Sequence, residues 1–213
     1  ALVGSAVANR ADRDGWAFVG TAIATAAAVI ALFGSLFPDV MHTDRMTAVR
    51  TIVENRLGDG IVFNRTEPFD PRVRYLTEQG FPFVSHGRTE FTTPHPWVDY
   101  DNEAFARAAV ARLADKGRSR ILMILPQDRF TFAQHLRYGL VAACRERGLT
   151  WETPEAVSLS TPATEVAAFL RQRLAAPDAP DGVVCVGEVA GIACLAAMAR
   201  AGGVPAPNLA VAA

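Results

Sequence analysis

The chain has no G-x-S-x-G nucleophile elbow, no H-E-x-x-H zinc pair, no Gly-Lys-Ser/Thr phosphate loop and no G-x-G-x-x-G dinucleotide turn. Gly187-Glu188-Val189-Ala190-Gly191 resembles the last of these only loosely. The sequence therefore offers no catalytic constellation, and neither an enzyme nor a cofactor is expected. Cysteine is scarce. Cys144, Cys185 and Cys194 are the only three, none at CxxC or zinc-like spacing, which excludes a disulfide framework. Each lies in an apolar stretch and reads as a small buried hydrophobe in a reducing compartment. The four histidines, His42, His86, His95 and His135, are far apart and lack ligand spacing, so no metal is expected. Nor is there an excess of positive charge. Lys and Arg total 21, Asp and Glu 22, and the net charge is −1. This gives no electrostatic footprint for nucleic acid or anionic lipid.

One apolar run is long. Residues 16–37 carry no charged side chain, enough to span a bilayer. The run is nevertheless rich in Ala, Thr and Gly, is broken at Gly34-Ser35 and stops at Pro38. Asp14 and Asp39 flank it, with no basic cluster on one side. It also begins late for a secretory leader and lacks a basic lead-in. A buried helix over 18–33 and a short strand at 35–41 are the expectation.

What is present is a strand–helix alternation over 213 residues, half of them hydrophobic. A first strand is expected at 2–8. Asp44 caps a helix with Met46, Val49, Ile52, Val53 and Leu57 at helical spacing, ended by Gly58. A strand at 60–64, a helix over 71–79 stopped by Gly80, and a strand at 81–85 follow. After a Pro-containing loop at 86–97 the rhythm resumes. It gives a strand at 98–100, a helix from Asn102 capped by Asp101, a strand at 121–125 and a helix over 131–147 stopped by Gly148. A strand near 156–159, a helix opened by Thr161-Pro162, a strand at 182–186, a helix over 189–201 and a strand start at 209–211 complete it. This alternation predicts an α/β protein with doubly wound, mostly parallel sheets and helices on both faces. Two such sets predict two lobes with a cleft between them, residues 1–100 and 101–213. The last strand has barely begun where the chain stops, so the second lobe is expected to be incomplete.

Open parallel sheets collect ligands at the carboxyl ends of their strands. The loops expected there carry residues 9–16, Asn64-Arg65-Thr66-Glu67, Ser85-His86-Gly87-Arg88, Gln127 through Phe132, and Gly187-Glu188. They combine aromatic faces, Arg donors and carboxylate acceptors, the mixture a polyol needs. Asp101 has two compatible roles, helix cap and acceptor for a ligand hydroxyl. Phe130 and Phe132, just past a strand end, are read equally as core and as stacking platform.

Val98-Asp99-Tyr100-Asp101-Asn102 with Asp59-Gly60-Ile61-Val62, Gly80-Phe81-Pro82-Phe83-Val84, Arg137-Tyr138-Gly139 and Gly203-Val204-Pro205 resembles the effector-binding core of the lactose-repressor/galactose-repressor (LacI/GalR) family. The resemblance runs from about Asp44 to Pro207 and more weakly over the first 43 residues. It implies a core like the type I periplasmic binding proteins, holding a small effector, by default a sugar or sugar derivative. It also implies a homodimer in the cytoplasm that reads operator DNA through an N-terminal helix-turn-helix absent from this chain, with no membrane segment. Carried over position by position, it places effector contacts at Phe18, Ser85, His86, Asp101 and Glu188; Arg65 and Phe132 join them from the strand-end loops. One position departs. The family sets an effector-binding Arg three residues before the glycine at Gly139, where this chain has Leu136, and Arg137 follows it. Either Arg137 substitutes from about 100° around the helix, or the pocket does without that contact. An exported solute-binding protein on the same core is the alternative.

Overall fold

Two units divide the chain, Ala1–Tyr100 and Asp101–Ala213, and each builds its own parallel sheet. The computed structural model describes residues 44–200 and 210–212, leaving out the side chains of 188, 189, 198–200 and 210–212. The elements expected at 2–8, 18–33 and 35–41, Phe18 and the stretch Gly203-Val204-Pro205 lie outside the described residues.

In the first unit Asp44 caps α1 (Arg45–Glu54), its carboxylate accepting the Thr47 N–H at 3.3 Å. This helix ends earlier than Gly58. Arg56 turns into the left-handed region (φ 50°), and the Leu57 N–H reaches back to the Ile52 carbonyl at 3.0 Å. That closing bond satisfies a terminal carbonyl without a glycine, and it leaves Leu57 exposed. β1 (Ile61–Asn64) leads to α2 (Pro71–Glu78), which has Asp70 as cap and proline in its first turn. Gly80 stops α2 at φ 59°. β2 (Phe83–His86) and β3 (Trp97–Val98) complete a parallel sheet of order β1-β2-β3. Asn64 pairs His86, and His86 pairs Val98. β3 starts one position and ends two positions before the expected 98–100, and past its end the Asp99 carboxylate takes up the Arg88 and Tyr100 N–H groups. Val49, Val73, Leu76 and Phe83 form the core, with Ile61, Phe63 and Phe91 packed against it.

The second unit is wound on both faces. Asp101 caps α3 (Asn102–Asp115). β4 (Arg120–Ile124), α4 (Thr131–Arg147), β5 (Thr150–Glu152), α5 (Ala163–Leu174), β6 (Gly182–Cys185), α6 (Glu188–Arg200) and β7 (Ala210–Ala212) follow. The four strands are parallel in the order β5-β4-β6-β7. Alternation along β4 divides the core. Ile121, Met123 and Leu125 face a cluster with Val110, Leu113, Leu136 and Leu140 of α3 and α4. Leu122 and Ile124 face Val166 and Leu170 of α5 and Cys194 of α6. All four strand side chains from Ile121 to Ile124 are at most 1% exposed, and burying each stabilises by roughly 1.5–3 kcal/mol. The strand expected near 156–159 is instead at Thr150–Glu152. Val157 is buried as its apolar character suggests, but the segment around it is a loop. Only Leu159 extends the β4 edge, through its N–H to the Leu125 carbonyl (3.2 Å), and the Ser158 N–H turns to the Thr161 hydroxyl instead of a ladder. Among the described residues no helix is long and apolar enough to cross a membrane.

Candidate functional site: the strand-end loops

The β1–α2 loop is built on a buried ion pair. Arg72 donates to both oxygens of Asp70, at 2.9 and 2.7 Å. Its Nη2 also donates to the carbonyls of Asn64 and Arg65, both at 3.1 Å. Its plane lies 4.4 Å from the Phe63 ring centre. Arg72 is 6% and Asp70 1% exposed, so each charge depends on the other. Burial alone would raise the Asp70 carboxyl. The Arg72 guanidinium and the N–H groups of Glu67 and Arg72 outweigh it and hold the group below its ordinary value. Thus anchored, the loop presents Arg65 to solvent with a left-handed backbone (φ 54°), a conformation that costs free energy in a non-glycine residue.

The loop between β2 and β3 returns a parallel strand without a helix and is held by polar bonds at Ser85, Thr66 and Asp99. Ser85 is fully buried, donates to the Gly87 carbonyl at 2.9 Å and lies 3.3 Å from His95 Nε2. Its hydroxyl shapes the loop from within. Burial pushes the His95 imidazole below its ordinary pKa, against the Thr93 backbone and the Asp70 charge. Thr66 donates to the Arg88 carbonyl at 3.0 Å. The buried Asp99 accepts from the Arg88 backbone N–H and from Arg88 Nε, both at 3.2 Å, and from the Tyr100 N–H at 2.8 Å. His86 remains exposed, edge-on to Tyr100 with ring centres 5.4 Å apart. Tyr100 is 63% exposed. Arg65 follows Asn64, which pairs His86 in the ladder, so the backbone brings Arg65 to the same carboxyl end of the sheet as the His86–Tyr100 pair. Ser85 backs them from inside.

In the second unit Asp101 is exposed and accepts the Ala104 N–H at 2.9 Å, an N-cap with its other oxygen outward. Phe132 is half-buried and stacks on the buried Phe130 at 5.7 Å. This settles Phe130 as core, while Phe132 keeps a partly open face. Arg137 reaches Asp128 Oδ1 at 2.7 Å and Thr153 Oγ1 at 3.0 Å. Leu136 is wholly buried between α3, α4 and β4, so the position where the family sets its arginine faces the core here. Glu188 opens α6, and its side chain is outside the described set. Val186 and Gly187 follow β6, and the Leu159 Cδ2 would lie 3.3 Å from a Cβ at Gly187.

Sequence reasoning missed Asp70, Arg72, Asp99 and Tyr100. The Asp70-Pro71 pair is a helix-start signal that could have flagged the first. Nothing local marks Arg72 as buried. A separate hollow of about 230 Å³ is lined by Arg120, Trp151, Glu152, Arg173, Asp178 and Pro180. Arg173 is engaged there by Glu152 and Asp178, and the hollow contains none of the expected site residues. Among the described residues no group of three or more His, Cys, Asp or Glu could hold a metal. Burial pushes the Cys144 thiol up to about 11. The hydrogen bond with Cys194, together with burial, raises the Cys185 thiol.

No family model matches the chain. It is 28% identical over 156 residues to the HTH-type transcriptional regulator RafR of Escherichia coli, across 73% of this chain and 46% of RafR. It is 31% identical over 136 residues to the HTH-type transcriptional regulator AglR of Rhizobium meliloti, across 62% of this chain and 38% of AglR. The chain thus spans less than half the length of these curated relatives. Among solved structures, a LacI-family regulatory protein of Chloroflexus aggregans superposes with TM-score 0.65 at 24% identity, over 78% of this chain and 60% of its own. The transcriptional regulator CelR in complex with cellobiose gives TM-score 0.62 at 25% identity, over 78% and 52%. The chain is thus similar in sequence to helix-turn-helix transcriptional regulators and in fold to the solved LacI-family regulators.

Proposed function

We propose that this chain is the effector-binding part of a transcriptional regulator, taking a neutral hydroxylated molecule, a sugar or sugar derivative, at its strand-end loops. One observation carries the reading. The loops at the carboxyl end of the first sheet are fixed from within by Asp70–Arg72, Asp99–Arg88 and Ser85, yet they present Arg65, His86 and Tyr100 outward. A guanidinium with two adjacent rings, one carrying a phenol, suits a polyol ring, which stacks on one face and hydrogen-bonds at its edges. In the second unit Asp101 offers an exposed carboxylate acceptor and Phe132 a half-buried ring. Cellobiose is the ligand named for the CelR neighbour, which supports a saccharide as the class.

The mechanism needs no bond making. A ligand that binds one conformational state better than another shifts the population by at most its differential affinity, and the factor by which it changes operator affinity equals the factor by which operator changes its own. DNA contact through a helix-turn-helix segment, a homodimer and a cytoplasmic location belong to the same proposal. The helix-turn-helix regulators among the relatives support it over an exported solute-binding protein. Calorimetric titration with glucose, galactose, maltose, cellobiose and sucrose tests the ligand class, with a gel shift of the protein on operator DNA for the regulator reading. Saccharide binding that His86→Ala and Tyr100→Ala both weaken at matched stability is expected. Binding untouched by both places the site elsewhere.

A further inference from the structure

We infer that Arg137 is a positioning residue, setting the β4–α4 loop against the loop after β5 without holding the ligand itself; this rests on the reading of those strand ends as the ligand edge. β4 and β5 pair in register from Arg120 with Thr150 to Leu122 with Glu152, and there the ladder stops. Met123 and Ile124 continue β4 alongside β6, so past Glu152 the backbone joins the two segments only farther on, where the Leu159 N–H meets the Leu125 carbonyl at 3.2 Å. Arg137 supplies a side-chain tie nearer the end of the ladder. Its Nη1 takes Thr153, the first residue after the ladder ends, and its Nη2 takes Asp128 in the loop that follows β4.

The direction follows from helix geometry. Side chains on a helix lean toward its N-terminus, so an arginine in the second turn of α4 falls back onto the loop that precedes the helix. The guanidinium holds its donors on separate nitrogens in a fixed planar fork, which suits two acceptors on different loops, whereas the three donors of a lysine ammonium all sit on one nitrogen. Both terminal nitrogens are thereby engaged. Asp128 is largely exposed and Arg137 about one-third exposed, so the pair adds little to global stability. Its effect is local, on a loop that carries Gln127 and leads into the Phe130–Phe132 stack.

The test compares wild type with R137Q, D128N, the double variant and R137K by amide hydrogen exchange of the ligand-free protein, with melting temperatures measured alongside. R137Q is expected to raise exchange in residues 126–130 and 153–156 by about tenfold with little change in melting temperature. D128N is expected to raise the first segment more than the second, and R137K to restore only one of them. Titration with whichever of the five saccharides binds the wild type tightest supplies the functional arm. R137Q and D128N should weaken binding by a similar factor, about three- to tenfold, and the double variant no further than either. A much larger loss for R137Q than for D128N, additive in the double variant, would make Arg137 a ligand contact and overturn the inference. Unchanged exchange in both segments would overturn it as well. If none of the saccharides binds the wild type, the ligand reading fails while the exchange comparison still decides the clamp.

Discussion

Gly139 of α4 packs directly against α3 at Glu103 and Ala106, and Gly139→Ala puts a single methyl into that contact. A Cβ there would lie 2.4 Å from the Glu103 carbonyl oxygen and 2.9 Å from the Ala106 Cβ. Neither neighbour is the free end of a flexible side chain. One is helix backbone, and the other is an alanine already at zero exposure. The helices must therefore part, and the side chains beneath them, Val110, Leu136 and Leu140, are fully buried. Overpacking of this kind costs about 1–3 kcal/mol. Replacing a mid-helix glycine with alanine returns about 0.5–1 kcal/mol. Because the closer clash is with backbone, the cost falls toward the upper end, and the net expectation is a loss of about 1–2 kcal/mol. Urea unfolding checks it, as a lower midpoint with an unchanged slope. Tyr138→Ala, one residue away and 60% exposed in the parent, should stay within about 0.5 kcal/mol and serves as control. A G139A protein as stable as wild type would refute the close-packing argument.

Asp70→Asn should destabilise by roughly 3–5 kcal/mol, because it leaves the Arg72 charge buried without its partner; chemical denaturation reads this, and a loss under 1 kcal/mol would show that Arg72 finds water. Acidification should weaken the fold in two stages, followed by melting temperature against pH. His95 is held neutral by burial, so the unfolded chain binds its proton first, and stability falls as pH drops below 6.5 through the lowered folded value. Asp70 has the opposite charge type and a folded value below 3.8, so its contribution is intact above 3.8 and is lost as pH falls further. His95→Gln should flatten the first stage and leave the second. Leu136→Arg, which places there the arginine that the LacI/GalR resemblance implies, should lose more than about 4 kcal/mol by driving a guanidinium into a closed core; a soluble, stable L136R protein would show that the side chain has an outward path.

The elements whose start and stop chemistry is local were legible from sequence. Asp44, Asp101, Gly80 and Gly148 each end or begin a helix through bonds within a few residues, and each does so in the structure. The end of α1 was not, because Arg56 adopts a left-handed turn that composition assigns to glycine. β5 was misplaced for a related reason. Thr150-Trp151-Glu152 is a three-residue edge strand with no apolar run, whereas the buried Val157 mimics a strand without pairing as one. In the site, residue types were readable but directions were not. Ser85 was selected at a strand end and Arg137 as the neighbour of the position where the resemblance implies an arginine, yet the first faces inward and the second binds Thr153, sixteen residues away. Tyr100 lay between two aspartates that drew attention to themselves, and only the geometry of His86 beside it shows its ring standing out.

The most direct test of the central claim is thermal unfolding of the protein with and without each saccharide, wild type beside His86→Ala. A ligand that binds only the folded state stabilises by about 2.7 kcal/mol at a hundredfold excess over Kd. For a chain of this size that corresponds to a rise of about 5–10 °C. A rise of that order with one saccharide, saturable and diminished in H86A, is the expected result. Melting temperatures that no saccharide moves at millimolar concentration would contradict the account and remove sugars as the ligand class.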